Sequence, residues 1–418
     1  MPTPRPNILL VFTDQETAAA ARPAAHTPHW DRLAARSVTF SRALCTSPQC
    51  SPSRASLLTG LYPHQTGVET NLDAVYAREL PPDIPTFGSR LRAAGYATAY
   101  FGKWHLSDAG PGRHGFDTVG PLHDDTAISG AAAAWLAGRP TAPWCAAVSF
   151  YNPHDIYRLS RDRSYPIRAD ATLPANGRDD LSTKPPPQRW FLTEDQGRPF
   201  AQATDDDWRR YRSAYADLLE RVDANLGTVL AGLDRSGGQD QTLVIVTSDH
   251  GDLAGAHGLP FKGPCLYDEL LHVPLLLAWP GQPAGRRPAL VSLLDLVPTM
   301  LDAAGIAADL TLPGRSLRPL LQGDAVDWPD WAVVEYLSKQ RHANPLRGLR
   351  RGHWQYNRYL WGGEELYDLA TDTGELHNLA GQPAYAAERD RLRAELERWR
   401  AATGDTRWEA EREQGRPA

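Results

Sequence analysis

Five short apolar runs, at residues 7–13, 97–101, 145–151, 242–247 and 273–278, restrict this chain's fold more than any other feature. Four of them close against a polar or charged residue: Asp14, Lys103, Asn152 and Asp249. Between the runs lie stretches with helical spacing, at 27–36, 53–59, 86–94, 205–233 and 293–304. Strand-like runs alternating with helices specify an α/β fold, a mostly parallel sheet covered by helices. Sites in such sheets form beyond the carboxyl ends of the strands, so the four terminal residues are expected to converge.

This alternation occupies residues 1–325, interrupted at 156–204 by a Pro-, Arg-, Asp- and Gly-rich segment. That segment follows Asn152-Pro-His-Asp155 directly and reads as a lid or specificity insertion. Residues 326–418 change character. Runs at 331–337, 349–359 and 365–369, turning at Gly362-Gly363, predict a short antiparallel sheet, and 384–402 a charged amphipathic helix. This is a smaller C-terminal α+β domain, with a mobile tail expected after Gly404.

The net charge of −6 excludes a nucleic-acid surface. No apolar run approaches the roughly 20 residues of a membrane span. The run at 7–13 is too short for a secretion signal and lacks a cleavage site, which places the chain in the cytoplasm. Four cysteines are too few for a disulfide framework. Cys45 and Cys50 lack the second Cys or His pair that a zinc site needs.

Asp14-Gln15 and Asp249-His250 each offer one carboxylate and one neutral donor, a set suited to a hard divalent cation. A single strand-end Asp is ordinarily a cap or an ion-pair partner; two such pairs with Cys50 between them favour a site. Only four of 44 basic residues are lysine: Lys103, Lys184, Lys262 and Lys339. In so arginine-rich a chain, lysine marks places that need a compact point charge. His105 shares a face with Lys103, and Arg54 follows Cys50 by one helical turn. The helix start at 51–53 points backbone amides toward an anion.

Cys50-Ser-Pro-Ser-Arg54 resembles the signature of type I sulfatases, members of the alkaline phosphatase-like superfamily. So do Pro6-Asn-Ile-Leu-Leu-Val-Phe-Thr-Asp14, Thr59-Gly-Leu-Tyr-Pro-His64, Gly102-Lys-Trp-His-Leu106 and Asn152-Pro-His154. Further matches are Ser248-Asp-His-Gly251 through Gly258-Leu-Pro-Phe-Lys262, Leu294-Asp-Leu-Val-Pro-Thr299, Pro313-Gly-Arg-Ser-Leu317 and Glu365-Leu-Tyr-Asp-Leu369. They run in order along nearly the whole chain, omitting mainly 156–204 and the tail.

The resemblance implies hydrolysis of a sulfate monoester. Cys50 would be oxidised to formylglycine by a dedicated generating enzyme, and one hydroxyl of the aldehyde hydrate would attack sulfur. Asp14, Gln15, Asp249, His250 and the Cys50-derived group would hold Ca²⁺, with Mg²⁺ or Mn²⁺ compatible with the same set. Gln15 and His250 stand where the commonest sulfatases carry Asp and often Asn. Arg54 would hold the diol and the metal-bound oxygens, and Lys103 and Lys262 the sulfate oxygens. His105 would deprotonate the second hydroxyl to expel sulfate, and His154, an imidazole near its ordinary pKa, would protonate the leaving alkoxide. His64 and His257 fall in matched segments without an assigned role.

The close rival is a phosphonate monoester hydrolase or phosphodiesterase of the same superfamily, which tends to carry hydroxyl side chains at the Lys103 and His105 positions. A non-catalytic binding protein would have lost a nucleophile or ligand. A thiolate hydrolase gives Pro52 and Arg54 no role. The partner is a small-molecule sulfate ester; its alcohol and the oligomeric state, a homo-oligomer among the options, stay open.

Overall fold

The computed structural model describes residues 5–18, 22–74, 76–140, 143–307, 309–324, 326–339 and 342–409. Eight strands make the main sheet: β1 (Asn7–Asp14), β2 (Val38–Leu44), β3 (Ala97–Gly102), β4 (Thr118–Val119), β5 (Trp144–Pro153), β6 (Thr242–Ser248), β7 (Leu275–Ala278) and β8 (Gly285–Ser292). Their order is β4-β3-β5-β1-β6-β7-β2-β8, with β7 antiparallel to both neighbours and the other pairings parallel.

The central strand shows why the apolar runs are continuous. Ile8, Leu10 and Phe12 enter one core with Leu57, Leu91, Leu296 and Met300 from the helices Cys50–Thr59, Phe87–Ala93 and Leu296–Ala303. Leu9 and Val11 enter a second core with Ile128, Leu136, Val222 and Val229 from the helices Asp125–Ala137 and Asp205–Ser236. Alternate side chains of β1 thus meet helices on both faces, so none is free to be polar. The fold is the expected α/β sandwich of alkaline phosphatase-like type.

Strands β2, β4 and β8 and the helix Asp125–Ala137 were not anticipated. β8 is an edge strand with exposed positions and a proline, Pro288, which an edge tolerates. β4 has only two residues.

The C-terminal sheet is antiparallel in the order β12-β11-β10-β9, formed by β9 (Trp331–Lys339), β10 (His342–Arg351), β11 (Trp354–Tyr359) and β12 (Glu364–Asp368). The expected single run at 349–359 is instead a hairpin. Gly352 at φ 60° turns the chain, a left-handed conformation that a side chain disfavours. Leu392, Leu396 and Trp399 of the helix Ala386–Thr403 cover Val333, Leu349, Tyr356 and Leu366.

The expected fraying after Gly404 does not hold through Glu409. Asp405 accepts from Arg347 Nε and Nη2 at 2.8 and 3.0 Å, and Trp408, 1 % exposed, lies under Arg358 and Arg400. The rest of the expected tail lies outside the described residues. Segment 156–204 is largely irregular but packed, with Gln188, Phe191 and Phe200 buried. Among the described residues no helix is long and apolar enough to cross a membrane.

Candidate active site

The parallel register gathers the site at one end of the sheet. Thr13 lies opposite Ser248, which sets Asp14-Gln15 beside Asp249-His250. Gly102 lies opposite Ser149, bringing Lys103 to the same edge. Gly102 has φ 101°, and a Cβ there would lie 1.9 Å from Ser149 O, so this approach requires glycine. Cys50 opens the helix Cys50–Thr59 and is fully buried.

One donor atom each from Asp14, Cys50, Asp249 and His250 lies within 4.8 Å of the others, all buried. His250 Nδ1 donates to Gly251 O at 2.8 Å, which leaves the Nε2 lone pair facing the cluster, 3.4 Å from Cys50 Sγ. Gln15 Nε2 donates to Asp252 Oδ2 at 2.6 Å, directing Gln15 Oε1 toward Lys262 at 2.9 Å. Asp252 is itself fixed by Tyr211 Oη at 2.9 and 3.0 Å from its two oxygens, and burial pushes its carboxyl up to about 6. Two carboxylates, an aimed amide oxygen and an aimed imidazole nitrogen fit a divalent cation.

Arg54 reaches the carboxylate oxygens expected to bind the ion. Its Nε donates to Asp249 Oδ2 at 2.8 Å and its Nη2 to Asp14 Oδ2 at 3.1 Å, while Nη1 donates to Lys103 O and Ser149 Oγ at 2.8 and 2.7 Å. The fork thereby clamps both carboxylates. The backbone amides at the helix start are likewise committed: Ser51 N donates to Asn71 Oδ1 at 3.0 Å and Ser53 N to Gln49 O at 3.2 Å.

Both lysines reach Cys50. Lys262 Nζ lies 2.9 Å from Cys50 Sγ and 3.0 Å from His250 Nε2; Lys103 Nζ lies 3.8 Å from Cys50 Sγ and 2.5 Å from Asp14 Oδ2. Burial acts to lower both ammoniums, but Asp14 and Cys50 outweigh it and hold them above the ordinary range. Burial likewise acts to raise the Cys50 thiol, and Lys103, Lys262 and His250 bring it well below its ordinary value. For Asp14 the opposing cations Lys103, His154 and Arg54 win over burial and the nearby Cys50, leaving its carboxyl low.

His105 and His154 both act on the charge of Cys50: His105 helps to lower its thiol, and Cys50 in turn helps to raise His154. His105 has φ 57°, a strained conformation that non-glycine residues keep mainly where surroundings over-determine it. The expectation that His154 sits near its ordinary pKa is corrected: burial, then Lys103 and Lys262, lower it against the pull of Asp14. His105, His154, Tyr151 and Tyr157 are only partly buried.

Of the four strand-end residues, Asp14, Lys103 and Asp249 meet around Cys50, whereas Asn152 donates to Asp125 Oδ2 at 2.9 Å instead. Sequence reasoning missed Asp252, Tyr211 and Ser149, which orient that cluster; Asp252 stands three residues after Asp249, the one signal available. A cleft of about 770 Å³ in the 156–204 segment is lined by Arg161, Arg163, Arg198 and Arg210 but by none of the site residues.

The Sulfatase family model matches residues 6–306, and a model for the C-terminal part of N-sulphoglucosamine sulphohydrolase matches 255–402. The chain is 32% identical to the Delta 4,5-hexuronate-2-O-sulfatase of Bacteroides thetaiotaomicron, over 91% of this chain and 86% of that one. It is 31% identical to the choline-sulfatase of Rhizobium meliloti, over 92% and 84%. Its fold matches a solved 2-O GAG sulfatase with a TM-score of 0.86 at 30% identity, covering 96% of this chain and 93% of that one. It also matches the phosphonate monoester hydrolase of Agrobacterium radiobacter with a TM-score of 0.79 at 24% identity, covering 96% of each chain.

Proposed function

The chain belongs to the sulfatase family and is a sulfuric ester hydrolase, and from that premise we propose that it cleaves a sulfate monoester through formylglycine made from Cys50. The observation that carries this reading is the meeting of Cys50 with two lysines, two histidines and a set of cation ligands in one buried cluster. As an aldehyde hydrate, Cys50 supplies one hydroxyl to attack sulfur and a second whose deprotonation releases sulfate. A divalent ion held by Asp14, Gln15, Asp249 and His250, Ca²⁺ being the family's usual choice, supplies positive charge for the ester oxygens.

The chain's own groups do the rest. Lys103 and Lys262 face the sulfate oxygens from two sides and offset the charge that develops on them. His105 accepts the proton of the second hydroxyl, and His154 passes one to the leaving alkoxide. His154 is held low in the free site, and an anionic ester beside it favours its protonated form. Arg54 is a positioning residue: it fixes the Asp14 and Asp249 carboxylates. Segment 156–204, which begins directly after His154, is the natural place for alcohol specificity. The two relatives' names point to different alcohols, a hexuronate and choline, so neither is carried over.

Lys103 and His105 favour sulfate over phosphonate. A panel of sulfate monoesters, phosphate diesters and phosphonate monoesters on protein of known formylglycine content tests this. Sulfate esters should give the highest kcat/KM; a phosphonate monoester turned over faster would reverse the assignment. His154→Ala should lose more rate on alkyl sulfates than on nitrophenyl sulfate, and equal losses would remove its role as acid.

A further inference from the structure

We propose that His257, Glu269 and Glu375 form a second divalent-cation site, separate from the cluster around Cys50. A ring nitrogen of His257 and one carboxylate oxygen each of Glu269 and Glu375 lie within 4.8 Å of one another. All three side chains are buried: His257 and Glu375 are 0% exposed and Glu269 is 6% exposed.

The hydrogen bonding around these groups supplies acceptors without donors. Glu269 Oε1 accepts from Asn176 Nδ2 at 2.9 Å, and Glu375 Oε2 from Asp268 N at 2.7 Å. The other oxygens, Glu269 Oε2 and Glu375 Oε1, are buried and accept no hydrogen bond. His257 Nδ1 is taken by Asp179 Oδ2 at 2.8 Å. His257 Nε2 faces Asn176 Nδ2 at 3.2 Å, whose two hydrogens already go to Glu269 Oε1 and Gly374 O. Of the nearby cations, Lys184 Nζ donates to Glu375 O and to Tyr367 Oη at 3.0 Å and lies 3.4 Å from Asp179 Oδ2, and Arg350 Nη2 lies 3.0 Å from Asp268 Oδ1; none of these contacts involves a carboxylate oxygen of Glu269 or Glu375.

Two buried carboxylates that no cation bonds directly are unfavourable, and each unmatched acceptor adds its own desolvation penalty. A cation shared among them removes both costs. One imidazole with two carboxylates suits a borderline transition ion such as Zn²⁺. Ca²⁺ would require six to eight oxygens, more than this set offers. The Asp179–His257 contact is the carboxylate support that metal-bound imidazoles commonly have.

The position gives such an ion a structural task. His257 lies in the loop that carries Lys262, Glu269 in the short helix Asp268–Leu271, and Glu375 in the turn after β12. The ion would tie the Lys262 loop to the C-terminal domain.

The test counts zinc in chelator-stripped, full-length protein dialysed against Zn²⁺ alone. Asp14→Asn/Asp249→Asn, with the first cluster disabled, should retain one Zn²⁺ per chain and melt at a higher temperature with Zn²⁺ than without. Adding Glu269→Gln/Glu375→Gln should abolish both effects. If the combined variant fails to fold, the count in Asp14→Asn/Asp249→Asn still decides. No bound zinc and no zinc-dependent melting there overturns the proposal, and the two carboxyls then share a proton instead.

Discussion

Lys262 Nζ stands 2.9 Å from the sulfur of Cys50, while Lys103 Nζ approaches the same atom to 3.8 Å on the side of Asp14. The Cys50 sulfur therefore has two buried ammoniums beside it, each held charged by the anions around it.

Lys262→Ala should lower kcat about 10²–10³-fold, the loss typical of removing one preorganised charge donor. Lys262→Arg should not restore it. A planar guanidinium does not match the point between Gln15 Oε1, Cys50 Sγ and His250 Nε2 that the ammonium occupies. Initial rates of sulfate release decide this, and a change confined to KM would make Lys262 a ground-state binding group only.

Asp252→Ala should weaken divalent-ion affinity by about 10–100-fold, since Asp252 holds the Gln15 amide nitrogen and so turns its oxygen into the site. Tyr211→Phe should act in the same direction more mildly, because it removes one donor to Asp252. Equilibrium dialysis measures both, and unchanged affinity would remove Gln15 from the ligand set.

The legible parts of this protein are those where local sequence and tertiary environment agree. β1, β5 and β6 read as strands because helices bury both their faces. β8 did not, because an edge leaves it half exposed. Asp14, Lys103 and Asp249 could be placed because each closes an apolar run, and His154 because its segment resembles the family's. Arg54 was identified, but its orientation was not readable: the four partners that fix it lie on or just beyond four strands, 40 to 195 residues away. The docked end of the chain was missed because Asp405 and Trp408 look like an exposed tail until Arg347, Arg358 and Arg400 are set around them.

The C-terminal sheet should depend on pH in opposite senses through two buried contacts, that of His64 with Glu335 and that of Asp405 with Arg347. His64 Nδ1 lies 2.6 Å from Glu335 Oε1 and Nε2 lies 3.2 Å from Thr403 O, so both nitrogens face acceptors. Burial acts to lower His64, but Glu335 and Asp405 outweigh it, and its folded value is raised. Its contribution is therefore complete below the ordinary imidazole value and lost as pH rises through the folded one. Asp405 is buried, yet Arg347 brings it down to about 2, so its contribution holds above 3.8 and is lost as pH falls toward 2. Urea midpoints from about pH 6 to about pH 9 should fall for the wild type and flatten for His64→Gln. Equal slopes would mean that His64 does not carry the alkaline loss.

The most direct measurement pairs the mass of the Cys50 peptide with sulfate release from nitrophenyl sulfate, across preparations converted to different extents by a formylglycine-generating enzyme. Turnover should rise in proportion to the aldehyde fraction and extrapolate to zero at none. Undiminished turnover in protein whose Cys50 is entirely thiol would contradict the account.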